Sequence, residues 1–195
     1  MGWRGKKGKR IPFNRAIRVL LATNSLILLS GAMLGPIYAL FVERVGGDLL
    51  DASFAGGVFA LAAGLTTLVA GRYADRVREN ELIIVFGYVL IGLGFFLYTA
   101  VQTVWHLLLV QALIGFAEAV YSPAFDAVYS KHLDRHKAGR EWGAWESINY
   151  FSTAVGAVIG GFIVVTLGFN SLFLVMGTLS LFSAFYVYAL PRNVL

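Results

Sequence analysis

Long apolar runs separated by short polar connections fill almost the whole chain, at 17–42, 52–70, 82–101, 104–129, 144–167 and 172–190. A helix rises about 1.5 Å per residue, so roughly 20 residues cross a ~30 Å hydrocarbon core, and every run is of that order. The runs lack the period-two alternation of barrel strands. Lipid leaves no backbone polar group unsatisfied, so helices are the spanning structure. Apolar residues continue nearly all round each helical projection, where a soluble helix would keep a polar face. The pattern predicts an all-α membrane protein of six transmembrane helices. A leader occupies 1–16, the membrane domain 17–190 and a tail 191–195.

Composition fits that picture, with 58% of residues hydrophobic, 14% charged, and 22 glycines scattered along the apolar runs. Cysteine is absent, which excludes disulfides, thiolate metal sites and cysteine nucleophiles. The charges orient the chain. If the N-terminus is cytoplasmic, Arg44 alone of the 16 Lys and Arg residues falls on the outer side. Short connections make the positive-inside rule applicable, so both termini are expected inside, in a plasma membrane of the bacterial inner type. The net charge of +5 comes from the leader WRGKKGKR just before the first span, where it meets anionic lipid headgroups and not nucleic acid. The first apolar run is too long for a cleaved signal peptide and has no small-residue cleavage site after it.

Gly35-Pro36 and Ser122-Pro123 fall at matching depths in the first and fourth runs. The match is either coincidence or the trace of two three-helix groups. Runs 1 to 3 start inside and runs 4 to 6 start outside, so such a repeat is inverted, the arrangement of alternating-access carriers. Small residues that let backbones approach recur at Gly31 and Gly35, at Gly156 and Gly160, and at Gly57, Gly64 and Gly71. These are expected to be packing seams.

An ionisable group inside a bilayer costs roughly 2.5–3.5 kcal/mol to insert, so it usually faces a water-filled cavity or a partner. Glu118 sits near the middle of the fourth run, with no basic residue in that span. At about 100° per residue, Gln111, Glu118, Ser122 and Asp126 fall on one stripe of the helix. Glu118 is therefore either a proton carrier facing a cavity or a glutamate that fixes helix packing. Asp126, near the inner end, is expected to pair with the inner basic loops. Thr23, Asn24 and Ser25 on the first run, and Asn149, Ser152 and Thr153 on the fifth, suit a modestly polar passage or bond across helices. Trp105, Trp142, Trp145 and Tyr129 are expected at the membrane interfaces.

No GxxxxGK[ST] loop is present to bind nucleotide, so this chain does not drive transport with ATP by itself. His132 and His136 stand in a charged loop with only Asp134 between them, too few ligands for a metal site. No nucleophile, base and orienting group converge from these spacings, so no enzyme and no cofactor is expected.

The segment GRYADRVREN at 71–80 resembles the GxLADRxGR signature between helices 2 and 3 of the major facilitator superfamily. Gly71, Ala74, Asp75 and Arg76 agree with it, while Tyr73, Arg78 and Glu79 replace its leucine, glycine and final arginine. VQALIGFAEAVYSPAFDAVYS, with the loop ending AGREWGAWES, is similar to helix 4 and the loop after it. Gln111 stands where proton-exchanging members often have arginine, and GAVIGG resembles the antiporter signature GPxxGG with Ala157 for its proline.

That superfamily is a standing example of 3+3 inverted repeats within each six-helix half, so the resemblance implies half of a major facilitator fold. It implies a secondary transporter with Asn24, Gln111 and Glu118 facing substrate and Gly71, Asp75, Arg76 and Arg78 in the gating loop, to which Asp126 at the inner end is added; Asn149, a polar residue of the fifth run, is expected on the same path. One half leaves an open polar face that lipid does not cover. A partner is required, in the simplest case a second copy related by a two-fold axis along the membrane normal, otherwise a separate six-helix half. A charge-poor path fits a small neutral, amphipathic or cationic solute.

Overall fold

The computed structural model describes residues 14–77, 79–134 and 136–191, and all its regular elements there are helical. Helix α1 spans Arg15–Ala32 and is capped by Asn14, whose side-chain oxygen accepts from the Ala16 amide. A 3₁₀ turn, Gly35–Ile37, joins it to α2, Tyr38–Arg44. Helix α3, Leu49–Ala74, opens on a reciprocal cap in which Asp48 accepts from the Asp51 amide and Asp51 accepts from the Asp48 amide, both at 2.9 Å. Two donors left bare by the helix start are thereby satisfied, and the negative charge suits the positive end of the helix dipole. Helix α4, Asn80–Leu97, runs into a 3₁₀ turn, Tyr98–Ala100. Helices α5, Val104–His132, and α6, Ala138–Tyr188, complete the order.

Among the described residues five helical runs are long and apolar enough to cross a membrane, taking α1 with α2 as one. The fifth and sixth predicted spans fall within the single 51-residue element α6, interrupted at Gly168 with φ 80° and ψ 171°. A residue with a Cβ resists that conformation, so glycine is what lets the chain turn there without a separate loop. Contacts along α6 trace its path. Gly156 lies beside Leu29, Gly160 against the Met33 backbone, and Phe173 against Phe41 at 4.8 Å between ring centres. Further on, the Ser183 hydroxyl donates to the Thr23 carbonyl at 2.7 Å. The arm before Gly168 climbs α1 towards α2, and the arm after it returns.

Arg15, Arg18, Arg72, Arg76, Lys131, Lys137 and Arg140 gather at the end where α1 starts and α3 and α5 finish, termed here the basic end. Arg44 and Asp48 lie at the far end. Helix α3 packs on α5, α1 on α6, and α4 on both α5 and α6. Between lipid-facing helices there is no hydrophobic drive, so close approach of backbones does the work. Gly115 takes the Phe59 backbone and Gly160 that of Met33, leaving no room for a Cβ at either position. The other expected seams differ: at Gly31, Gly35, Gly57, Gly64 and Gly71 an added Cβ would meet nothing within 4 Å. The core centres on α4, where Ile84 and Tyr88 are fully buried with Leu107 and Phe125 of α5 and Leu172 and Met176 of α6. Helix α3 is nearly bare, with only Ala55 and Ala74 buried.

Candidate functional site: a cavity between the first helix and α5

Helices α1 and α5 splay apart in the far half of the bundle around a cavity of about 540 Å³. Gly31 on α1, Gly35 at the start of the 3₁₀ turn and Gly56 on α3 lack the side chains that would fill it. Phe95, Tyr98 and Met176 close its back, and Phe59 and Tyr121 flank it. Its polar groups come mainly from one face of α5. Gln111 and Glu118 both line the wall, seven residues apart by number and so close to two turns along one side. The Gln111 side-chain amide donates to the Tyr38 hydroxyl at 2.6 Å, fastening α5 to the start of α2. Glu118 stands exposed on the wall and makes no hydrogen bond or ion pair with a described residue.

Other candidates lie elsewhere. Asn24 is buried and does not line the cavity, although the resemblance places it facing substrate. Its oxygen accepts from the Tyr88 hydroxyl at 3.3 Å, since it sits one turn nearer the basic end than the wall residue Ile27, where the Tyr88 side chain reaches across from α4. Asn149 is half-buried outside the lining, while Thr153, one turn on, reaches the wall. Asp75 caps α3, its amide bonded to the Gly71 carbonyl, and both Asp75 and Arg76 are exposed at the basic end. Gly71 is half-buried, and Arg78 lies outside the described residues.

The expected pairing of Asp126 with the inner basic loops is not what the described residues show. Asp126 is exposed without an ion pair to any of them, and the ion pair at this end is Asp134 with Lys137, at 2.6 Å. Hydrogen bonding from the Lys137 ammonium, then from the His136 amide, holds the Asp134 carboxyl below the ordinary carboxylate range. The buried carboxylate here is Glu141, which accepts from the Asp134 amide at 2.9 Å, while its own carbonyl accepts from the Tyr129 hydroxyl at 2.6 Å. Trp142 and Trp145, expected in an interface belt, continue an aromatic chain from Tyr129 with ring centres 5.1 and 6.0 Å apart.

Tyr38, Tyr98 and Tyr121 are wall residues that the sequence reading missed. Two had a signal: Gly31, Gly35 and Tyr38 follow four- and three-residue steps, as do Ile114, Glu118 and Tyr121, so each set shares one helix face. Among the described residues no three His, Asp or Glu gather as a metal site.

A cavity between the first helix and α5, backed by α4 and α6, is set in a chain whose residues 20–194 match the family model described as Major Facilitator Superfamily. The chain belongs to that superfamily. That superfamily is one of membrane transporters and not of enzymes. Curated relatives include Multidrug resistance protein MdtG of Salmonella typhimurium and of Salmonella dublin, each 27% identical over 176 residues. The protein of that name from Salmonella arizonae is 26% identical over the same length. Each alignment takes in 88% of this chain and 43% of the relative, so the chain spans less than half the length of these major facilitator proteins.

Proposed function

We propose that the chain is one half of a secondary transporter that works by alternating access, completed by a second copy of itself. The observation that carries this reading is the cavity wall, where Gln111 and Glu118 sit side by side on a face that acyl tails cannot cover without desolvating a carboxyl. The two arms of α6, at 138–167 and 169–188, act as separate spans and bring the number to six. A 3+3 inverted repeat is supported by exchanged pairings: α3 rests on α5 as the first arm of α6 rests on α1. The basic end lies in the cytoplasm of a bacterial inner membrane, with both termini on that side.

Glu118 carries the coupling proton. Protonation drives the cycle only if the two access states hold the proton with different affinity. A carboxyl ringed by Phe59, Phe95, Tyr98 and Tyr121 suits a cationic amphiphile, which aromatic faces and one negative charge both attract. The name of the relatives, multidrug resistance protein, agrees with a solute of that kind. In proteoliposomes with an imposed pH gradient, Glu118→Gln should abolish pH-driven flux. Equal flux in wild type and variant removes Glu118 from the mechanism and favours an accessory, non-transporting role.

The partner is tested separately. Asp75 and Ser147 are both exposed at the basic end, and a two-fold axis through the open cavity brings α3 of one copy towards α6 of the other. The chain contains no cysteine, so oxidising an Asp75→Cys, Ser147→Cys double variant should join two chains. Only monomer under efficient oxidation rejects that contact. Coverage of 43% of the relatives also fits a second reading, in which the missing half is a different six-helix unit.

A further inference from the structure

A groove of about 920 Å³ lies on the opposite side of α5 from the cavity. Helices α3 and α5 meet where the Phe59 backbone enters the space at Gly115. From there to the basic end α3 and α4 stand apart, leaving a slot walled by Leu65, Val69, Leu82 and Phe86 and floored by Phe116 and Val120. At about 100° per residue, Phe116 and Val120 point away from Gln111 and Glu118, so slot and cavity share no wall of α5.

The slot is apolar along its depth and changes character at its mouth. Tyr73, Val77 and Glu79 form the rim at the basic end. Arg72 and Arg76, the chain neighbours of Tyr73 and Val77, are exposed there, and neither makes an ion pair with a described residue. An apolar slot whose mouth is flanked along the chain by exposed Arg72 and Arg76, with the Glu79 carboxyl also on the rim, matches at a membrane surface a molecule with a hydrocarbon tail and a negative head. The chain's own leader is a poor occupant, because Arg4, Lys6, Lys7, Lys9 and Arg10 would bring like charge to that mouth.

We infer that the groove is a specific site for an anionic phospholipid, with acyl chain in the slot between α3 and α4 and headgroup phosphate held by Arg72 and Arg76. Guanidinium groups bind phosphate through paired hydrogen bonds, which an ammonium does not reproduce. The slot supplies depth that a flat helix face lacks, so the lipid is held by shape as well as by charge. The groove shares no lining residue with the cavity that holds Glu118.

Native mass spectrometry of the intact chain in detergent, titrated with equal phosphatidylglycerol and phosphatidylcholine, tests this. Wild type should retain phosphatidylglycerol severalfold over phosphatidylcholine, and the preference should shrink as salt is raised. Ala70→Trp, which fills the slot, should lose retention of both lipids. The Arg72→Gln, Arg76→Gln double variant should keep occupancy and lose the preference. Leu82→Trp, exposed at the edge of the slot, gives the same readout if Ala70→Trp does not fold. Equal retention of the two lipids by wild type, or undiminished phosphatidylglycerol on the folded slot-filling variant, overturns the proposal.

Discussion

The first span and α5 carry a proline at matching depth, yet one is broken and the other is not. At Gly35-Pro36 the helix stops, passes through a 3₁₀ turn and restarts as α2. At Ser122-Pro123 the 29-residue α5 continues without interruption. Proline removes one helical hydrogen bond and crowds the residue before it, so each site is equally provoked by its own chemistry. What differs is the surrounding packing. Gly31 and Gly35 face the cavity with nothing within 4 Å of an added Cβ, so on that side the first span has no support at the break, while α6 backs it on the other side at Met33. Beyond Pro123, Ala124, Phe125, Val128 and Tyr129 are all buried. Phe125 stacks on Tyr129 at 5.8 Å, and the Tyr129 hydroxyl is tied to Glu141. A proline sets up a break, and the contacts on either side decide whether it happens.

The break has a consequence for the site. Helix α2 is a short element that carries Tyr38, and Tyr38 is bonded to Gln111 across the cavity. Its far end is clamped by Phe41, which meets Tyr98, Phe169 and Phe173 at ring-centre distances between 4.8 and 5.6 Å. The joint therefore lies between a packed α1 and an aromatic anchor, beside the proposed solute path.

The strongest test of this contrast is Phe41→Ala, which removes the anchor of the broken span. Deleting a buried aromatic ring from a core costs about 3–5 kcal/mol, and lipid takes away part of the transfer contribution, so a loss near ~3 kcal/mol is expected in thermal unfolding. A change within error would mean that α2 is held by its helical bonds and not by the cluster. Next in size, Pro36→Ala should let α1 and α2 fuse and slow flux about tenfold, equivalent to ~1.4 kcal/mol in a barrier, while Pro123→Ala leaves flux nearly unchanged. Equal slowing by both would erase the distinction drawn here. The smallest effect is on the unbroken side. Tyr129→Phe removes one hydrogen bond and should lower stability by ~1 kcal/mol, read as a modest drop in melting temperature without loss of α5 helicity.

The helical class, the positions of the spans and the shared face of Gln111 and Glu118 were legible because they depend on local spacing and on lipid as solvent. Length against bilayer thickness places a span whatever its neighbours do. Legibility failed where neighbours decide. Asn24 looked as available as Gln111, but Tyr88 of α4 closes over it, a meeting of residues far apart in the chain. The glycine pairs looked alike, yet Gly156 and Gly160 seat α6 on α1 while Gly31 and Gly35 open onto the cavity. Asp126 was expected to pair with the inner basic loops and is exposed without such a partner among the described residues, while Glu141 is buried, because burial of a carboxylate depends on which backbone amides fold back towards it.

By itself the sequence determined that this is a membrane-spanning, all-helical chain of major facilitator type with one carboxyl in mid-span. Those properties follow from residue chemistry and from periods of a few residues. Only the tertiary structure decided which proline breaks its helix, which polar side chains share the cavity wall, and that Gly168 folds α6 back along α1. Each of these is settled by contact between segments distant in sequence, where a missing Cβ or an added ring changes the close packing of backbones that holds helices together in lipid.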